Sequence, residues 1–148
     1  MIILDANLLL YAYDRTSEWH AQARPWIEEV FSGSEPVGLP WQTVTAFLRI
    51  VTNPRLGGER LPAAKAAEIV DQWLQQPNVR PLSPGDGHWR LLREMIVSGQ
   101  AYGPLGSDAH LAALAIEWGG VLHTTDRDFA RFPGLRWTNP LEEKKASS

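Results

Sequence analysis

The sequence predicts an α/β fold, a three-layer arrangement with a central, mainly parallel sheet of four to five strands flanked by helices. Three observations predict it. Short apolar runs of three or four residues alternate with longer segments whose apolar positions recur at helical spacing. Each strand is separated from the next by such a segment, which demands crossover connections and therefore parallel neighbours. The chain has 148 residues, 44% of them hydrophobic and 21% charged, which excludes a disordered or fibrous chain. A chain of that size buries roughly 70% of its unfolded surface without staples. No repeat or low-complexity linker divides it, so 1–141 is read as one domain.

Residues 1–4 form the first strand, because Ile2, Ile3 and Leu4 are consecutive bulky apolar residues that meet a polar one at Asp5. This opening is too short for a membrane span, which needs about 20 apolar residues. No basic stretch precedes it as in a signal peptide, and a cytoplasmic protein is expected. A helix follows over 8–13. Thr16 or Ser17 caps the next, in which Trp19, Ala23, Trp26, Ile27, Val30 and Phe31 share a face and Pro25 marks a kink or break. A second strand over 37–39 leads into a helix over 41–52, and Asn53, Pro54, Gly57 and Gly58 make a loop. Pro62 opens an Ala-rich helix that runs to Leu74. A third strand over 79–82 precedes a helix over 86–98. Ser107 then caps a helix over 108–118, which stops at Gly119 and Gly120. Residues 121–123 are a fourth strand, 128–132 a helical turn and 135–137 a fifth strand. The tail 142–148, with Ala146 its one apolar residue, is expected to fray.

Ligands of such sheets gather outside the carboxyl ends of the strands, so the residues there matter most. Asp5 closes the first strand, Asp126 and Asp128 follow the fourth, and Asp108 opens the helix that feeds the fourth. Singly, Asp108 can be explained by the helix dipole and Asp126 with Asp128 by an Asx-turn. Asp5, directly after three apolar residues, sits where desolvation is costly unless compensated. Two carboxylates about 4 Å apart repel by roughly 4 kcal/mol at an effective dielectric near 20. Gathering several therefore requires protons, cationic side chains or a divalent cation, and Arg127 is the one basic residue inside the cluster. Cysteine is absent, so thiolate metal sites and thiol nucleophiles are excluded. A hard cation, Mg²⁺ or Mn²⁺, suits this oxygen-rich inventory, and metal-dependent phosphodiester hydrolysis is the leading chemistry.

These residues also carry a family resemblance. A first strand ending in Asp5-Ala6-Asn7, then Ser107-Asp108 opening an Ala-rich helix, then His123-Thr124-Thr125-Asp126-Arg127-Asp128-Phe129, resembles a PIN domain of the VapC toxin type over essentially the whole chain. The resemblance implies a PIN-like three-layer sandwich. It further implies a divalent-metal-dependent endoribonuclease, the toxin of a type II toxin–antitoxin system acting on RNA of the tRNA or rRNA class, held inactive by a cognate VapB-like antitoxin and commonly homodimeric. Asp5, Asp108 and Asp126 match the family's metal-ligand positions, and Asp128 matches a further acidic position in the catalytic set. Asn7 and Thr124 match polar residues that orient the carboxylates. A water activated by the ion would attack phosphorus, with Asp126 or Asp108 orienting it or accepting its proton.

One position departs from the pattern. Ala46 stands where many PIN domains carry a Glu, so either the site uses its Asp residues alone or Gln42, Thr43 or Thr45 supplies a neutral ligand. This departure motivates the alternative of a noncatalytic PIN-like module that binds RNA or protein. A third reading, a phosphatase with Asp5 as nucleophile, is weakened because Asn7 replaces the second Asp of the usual phosphatase signature and no Lys follows a later strand.

Other residues have competing uses. Trp19, Trp26, Trp73, Trp89 and Trp118 lie on helices with apolar neighbours at helical spacing and read as core or dimer packing. Trp41, at a strand-to-helix junction beside the site, is a candidate for stacking on an RNA base. Arg49 and Arg55, flanking a loop assigned to the top of the sheet, are candidate contacts to substrate or antitoxin. Of the four His, His110 lies closest to the carboxylates in sequence. The net charge of −3 speaks against a broad basic RNA-binding face. Four of the 17 acidic residues are the proposed site itself, leaving 13 against 14 basic ones. The acidic excess is thus local.

Overall fold

In the computed structural model, which describes residues 1–142, five parallel strands form one sheet in the order β3-β2-β1-β4-β5. The strands are β1 (Ile2–Leu4), β2 (Val37–Pro40), β3 (Val79–Leu82), β4 (Val121–His123) and β5 (Trp137–Thr138). The helices are α1 (Ala6–Tyr13), α2 (His20–Ser32), α3 (Trp41–Val51), α4 (Ala63–Gln75), α5 (His88–Ser98) and α6 (Leu105–Glu117), with a 3₁₀ turn over Arg127–Arg131. From β1 the chain winds outward through β2 and β3, then returns to build β4 and β5 on the other flank. The order therefore reverses between β1 and β4, and a crevice opens at their carboxyl ends.

Alternation along β1 explains the layers. Ile2 and Leu4 point into a core with Leu8 and Leu9 of α1, Ile27 of α2, Phe47 of α3 and Trp73 of α4. Ile3, on the opposite face, joins Met95 of α5, Leu111 and Leu114 of α6, and Phe129. The two cores meet only across the sheet, which is the predicted three-layer sandwich. At Gly38 in the centre of β2 a Cβ would come within 2.6 Å of Leu82 Cδ1 and 2.9 Å of Met1 Sδ, so the close packing there requires glycine.

Several boundaries differ from the sequence reading. The first helix begins at Ala6, because Asp5 is its N-cap, rather than at Leu8. The second begins at His20, since Asp14 holds residues 14–17 in a turn by accepting from the Thr16 amide and hydroxyl. Pro25 stays inside that helix, exposed and without breaking it. Ser107 lies in the first turn of α6 and does not cap it. The fifth strand is shifted to Trp137–Thr138 by its register against Leu122 and His123. Trp89 and Trp118 are exposed rather than core, whereas Trp73 packs between Phe31 and Phe47. Of the tail expected to fray, Glu142 is described and pairs with Arg127 at 3.0 Å; 143–148 lie outside the described residues.

Candidate active site

Three carboxylates reach the crevice because each begins a helical segment. Asp5 caps α1, with Oδ1 accepting from the Ala6 amide at 2.8 Å. Asp126 caps the 3₁₀ turn, with Oδ1 accepting from the Asp128 amide at 2.9 Å. Asp108 stands in the first turn of α6. Helix N-termini carry partial positive charge, so these are places where a chain can hold several anions close together.

Thr124, fully buried just past β4, ties the site together. Its hydroxyl donates to Asp5 Oδ2 at 2.7 Å and accepts from the Asp126 amide at 3.0 Å, locking the end of β1 to the turn after β4. Asn7 Nδ2 donates to Thr125 Oγ1 at 2.8 Å and more weakly to Thr124 Oγ1 at 3.4 Å. The Asn7 Oδ1 is left buried without a hydrogen-bond partner. Thr124 thus bonds to the Asp5 carboxylate directly, while Asn7 bonds to the hydroxyls of the 124–125 turn.

The electrostatics record the crowding. Burial raises the Asp5 carboxyl above its ordinary value and Asp126 adds to the rise, against the bonds from Thr124 and the Ala6 amide. Burial first, then Asp126, Asp5 and Asp128 in turn, push Asp108 up to about 6, with Arg131 the cation that opposes them. Asp128 is exposed and acts on Asp108 through its charge. Arg127, the basic residue the sequence placed inside the cluster, instead pairs with Glu142.

Whether these residues suit a divalent cation is answered in two parts. Among the described residues no three carboxylate or imidazole side chains stand close enough to form a preformed cage. Mg²⁺, however, keeps several of its waters and takes one or two carboxylates directly, so a looser set of converging oxygens is the arrangement it needs. Positive charge in the crevice would ease the raised carboxyls of Asp5 and Asp108. The donor set fits a hard cation.

The helix α3 supplies one wall. Thr43, buried, donates its hydroxyl to the Leu4 carbonyl at 2.7 Å, and Gln42 Nε2 donates to the Ser107 carbonyl at 2.8 Å, binding α3 to the strand that ends in Asp5 and to the turn that presents Asp108. Of the neutral ligands considered from sequence, Thr43 and Thr45 spend their hydroxyls on carbonyls, while Gln42 Oε1 is buried without a partner. Trp41 opens α3 and stands at the rim, 45% exposed.

Arg49 and Arg55 are not brought to the site. Helix α3 leaves the crevice at Trp41, and Arg49 lies in its last turn, about 12 Å further along at 1.5 Å per residue. The segment containing Arg55 folds against the far end of α1, where the Glu59 amide donates to Asp14 Oδ1 and Arg15 pairs with Glu59 at 2.7 Å. The sequence reading placed this loop at the top of the sheet; the direction of α3 puts it at the other end. Arg131 is the residue whose part in the site the sequence analysis did not single out, because its nearness to Asp108 joins segments distant in the chain.

A parallel sheet with carboxylates converging at its switch point defines the PIN-domain class, and residues 2–135 match the PIN domain family. Ribonuclease VapC33 of Mycobacterium tuberculosis is 39% identical over 143 residues, covering 97% of this chain and 100% of its own. Ribonuclease VapC43 of the same organism is 38% identical over 142 residues, 96% of this chain and 97% of its own. The chain belongs to the VapC ribonucleases within the PIN domain family. Solved structures share the fold: VapBC2 from Rickettsia felis bound to a promoter DNA fragment, at TM-score 0.68 and 16% identity over 94% of this chain and 98% of its own. The Mycobacterium tuberculosis VapC20, a Sarcin-Ricin loop cleaving toxin, matches at TM-score 0.66 and 18% identity over 92% of this chain and 99% of its own. This membership leaves no support for the phosphatase reading. Among the described residues no helix is long and apolar enough to cross a membrane.

Proposed function

We propose that this chain is a cytoplasmic, Mg²⁺- or Mn²⁺-dependent endoribonuclease that acts as the toxin of a toxin–antitoxin pair. The observation that carries the reading is the convergence of Asp5, Asp108, Asp126 and Asp128 on one crevice, where burial first and then the charges of the other three push Asp108 up to about 6 against Arg131. A site built only to stabilise the fold gains nothing from such repulsion; one built to take up a cation and a phosphodiester does. Asp5, Asp108 and Asp126 would hold the ion, which supplies charge stabilisation for the pentacoordinate phosphorus and lowers the pKa of water. Asp108 or Asp126 would orient the attacking water and take its proton as the new P–O bond forms, and the ribose oxygen whose bond to phosphorus breaks would leave with a proton taken from solvent or from that carboxyl. Thr124 and Asn7 keep Asp5 and the 124–126 turn in register, so the carboxylates do not have to be gathered for each turnover.

The substrate class proposed is tRNA or rRNA, in keeping with the naming of VapC20 as a Sarcin-Ricin loop cleaving toxin. The partner proposed is a VapB-like antitoxin, since VapBC assemblies of Rickettsia felis and Salmonella typhimurium share the fold, and a homodimer is the proposed assembly. Cleavage of labelled RNA with Mn²⁺, with EDTA, and with the Asp5→Asn and Asp108→Asn variants tests the reading. Loss of cleavage in EDTA and in both variants is expected. Cleavage that survives both variants refutes the site. A protein that binds RNA, never cleaves it and takes up no Mn²⁺ by calorimetry is instead the noncatalytic module that Ala46 motivates.

A further inference from the structure

Beside the carboxylates lies a cleft of about 530 Å³ between three helices, lined by Trp41, Gln42 and Thr45 of α3, Leu92 of α5, and Ser107 and His110 of α6. It is broad and open to solvent rather than an enclosed cavity. It adjoins the turn that presents Asp108, since its wall includes Ser107, whose carbonyl accepts from Gln42 and which directly precedes Asp108. Two features need an occupant to explain them.

The first is Trp41. Trp73 packs on Phe31 and Phe47, Trp26 stacks on His123, and the Trp118 indole donates to the Ser83 carbonyl. Trp41 is exposed, as Trp89 and Trp118 are elsewhere on the surface, and of these three it is the one that lines the cleft beside Ser107. The second is His110. Its Nδ1 lies 2.8 Å from Nε2 of the buried His88, whose own Nδ1 is 3.8 Å from Glu117 Oε2 and has no hydrogen-bond partner of its own. Glu117 is in turn fixed by the Gly85 amide, which donates to its Oε1 at 2.5 Å. A carboxylate facing His88 Nδ1 favours the proton on that nitrogen. In that tautomer His88 Nε2 would accept from His110 Nδ1–H, leaving His110 Nε2 as an acceptor on a residue that lines the cleft. A chain of three side chains from two helices holds one imidazole in one tautomer and one orientation, a placement that packing alone does not require.

We infer that this cleft is a nucleotide subsite for single-stranded RNA, in which the Trp41 ring stacks on an unpaired base and His110 Nε2 accepts from the ribose 2′-hydroxyl of that nucleotide. The inference rests on the ribonuclease reading and deepens it. Aromatic faces bind unpaired bases of any sequence, and the 2′-hydroxyl is the group that distinguishes RNA from DNA. His88 and Glu117 are positioning residues that act through His110.

The test is equilibrium binding of a fluorescein-labelled single-stranded RNA and of the DNA of the same sequence, in EDTA so that nothing is cleaved. It uses the unsubstituted protein and, separately, the Asp5→Asn background. Trp41→Ala is expected to weaken RNA binding about tenfold, with Trp41→Phe retaining most of it. His110→Ala is expected to weaken RNA severalfold and leave DNA unchanged, so the preference for RNA shrinks. His88→Phe, which keeps the volume and removes the acceptor, should shrink the preference in the same direction with the melting temperature recorded alongside. Unchanged RNA affinity in both Trp41→Ala and His110→Ala, in a protein that still binds and cleaves RNA, overturns the subsite and spares the ribonuclease reading. Conversion of a dimer to a monomer by Trp41→Ala with RNA affinity unchanged also overturns it and makes the cleft an interface between copies. Absence of RNA binding and cleavage in the unsubstituted protein overturns both readings together.

Discussion

Replacing Thr124 by Val removes one hydroxyl while keeping the shape of a fully buried side chain, so no cavity accompanies the change. Two strong bonds disappear, with the weaker one from Asn7 Nδ2 at 3.4 Å. The hydroxyl no longer donates to Asp5 Oδ2, a bond to a charged group worth about 1.5–3 kcal/mol, and the Asp126 amide loses its acceptor, a further cost of about 1 kcal/mol for a group that is only part-buried. The sum is about 2–4 kcal/mol. At roughly 2–4 °C per kcal/mol for a chain of this size, the melting temperature in EDTA should fall by about 5–15 °C. The same change frees Asp5 from its orienting donor, and Mn²⁺ affinity should fall by about tenfold or more, as is usual when the partner of a ligand is lost. Thr124→Ser keeps the hydroxyl and should keep the Mn²⁺ affinity. Differential scanning calorimetry and isothermal titration with Mn²⁺ read the two effects. A shift below about 2 °C in Thr124→Val, or an equal loss of Mn²⁺ affinity in the Ser and Val variants, would refute the tie between β1 and β4.

Further outcomes follow from the same geometry. Asp108 at about 6 and the raised Asp5 bind protons in the folded chain that the unfolded chain has released, so their contribution to metal-free stability is full below 3.8 and is lost as pH rises through about 6. Melting in EDTA across that window should show the decline, Asp108→Asn should flatten it, and Mn²⁺ should reverse it. Ala46 lies one turn beyond Gln42 and Thr43, on the face of α3 that bonds to Ser107 and Leu4, and side chains tilt toward the helix N-terminus. Ala46→Glu should therefore tighten Mn²⁺ binding severalfold while lowering the melting temperature in EDTA; unchanged affinity by calorimetry counts against the placement. Arg49→Ala and Arg55→Ala, remote from the crevice, should change the rate of RNA cleavage less than twofold at saturating substrate.

The strand ends were legible because Asp5 interrupts an apolar run and Asp126 and Asp128 follow another, positions where period and polarity both change. The layers were legible too, from the alternation of strands with amphipathic helices. What the sequence could not supply is direction over distance. Arg49 and Arg55 are near Trp41 in the chain, yet eight residues of helix carry Arg49 away from the site. Likewise the links from Gln42 to Ser107 and from Glu117 through His88 to His110 join segments whose adjacency depends on how three helices cross. His110 stood out in sequence for its nearness to Asp108, but its orientation is set by His88 from another helix. Helix starts were misjudged at Leu8 and Ser107 for one reason: Asp5 and Pro104 end the preceding segments earlier than apolar periodicity suggests.

Asp5 closes β1, caps α1 and receives the Thr124 hydroxyl with the same carboxylate. A mutation that silences the protein through this residue therefore weakens it as well. Alanine gives up a helix cap worth about 1 kcal/mol and strands a buried hydroxyl, whereas asparagine keeps an acceptor for the Ala6 amide but must turn its NH₂ toward Thr124. Asp128 is exposed and its side chain holds nothing in place, so silencing there leaves the scaffold whole. On the proposed function, loss of activity at Asp5 comes with loss of a helix cap and a strand tie, whereas loss of activity at Asp128 leaves the fold as it is.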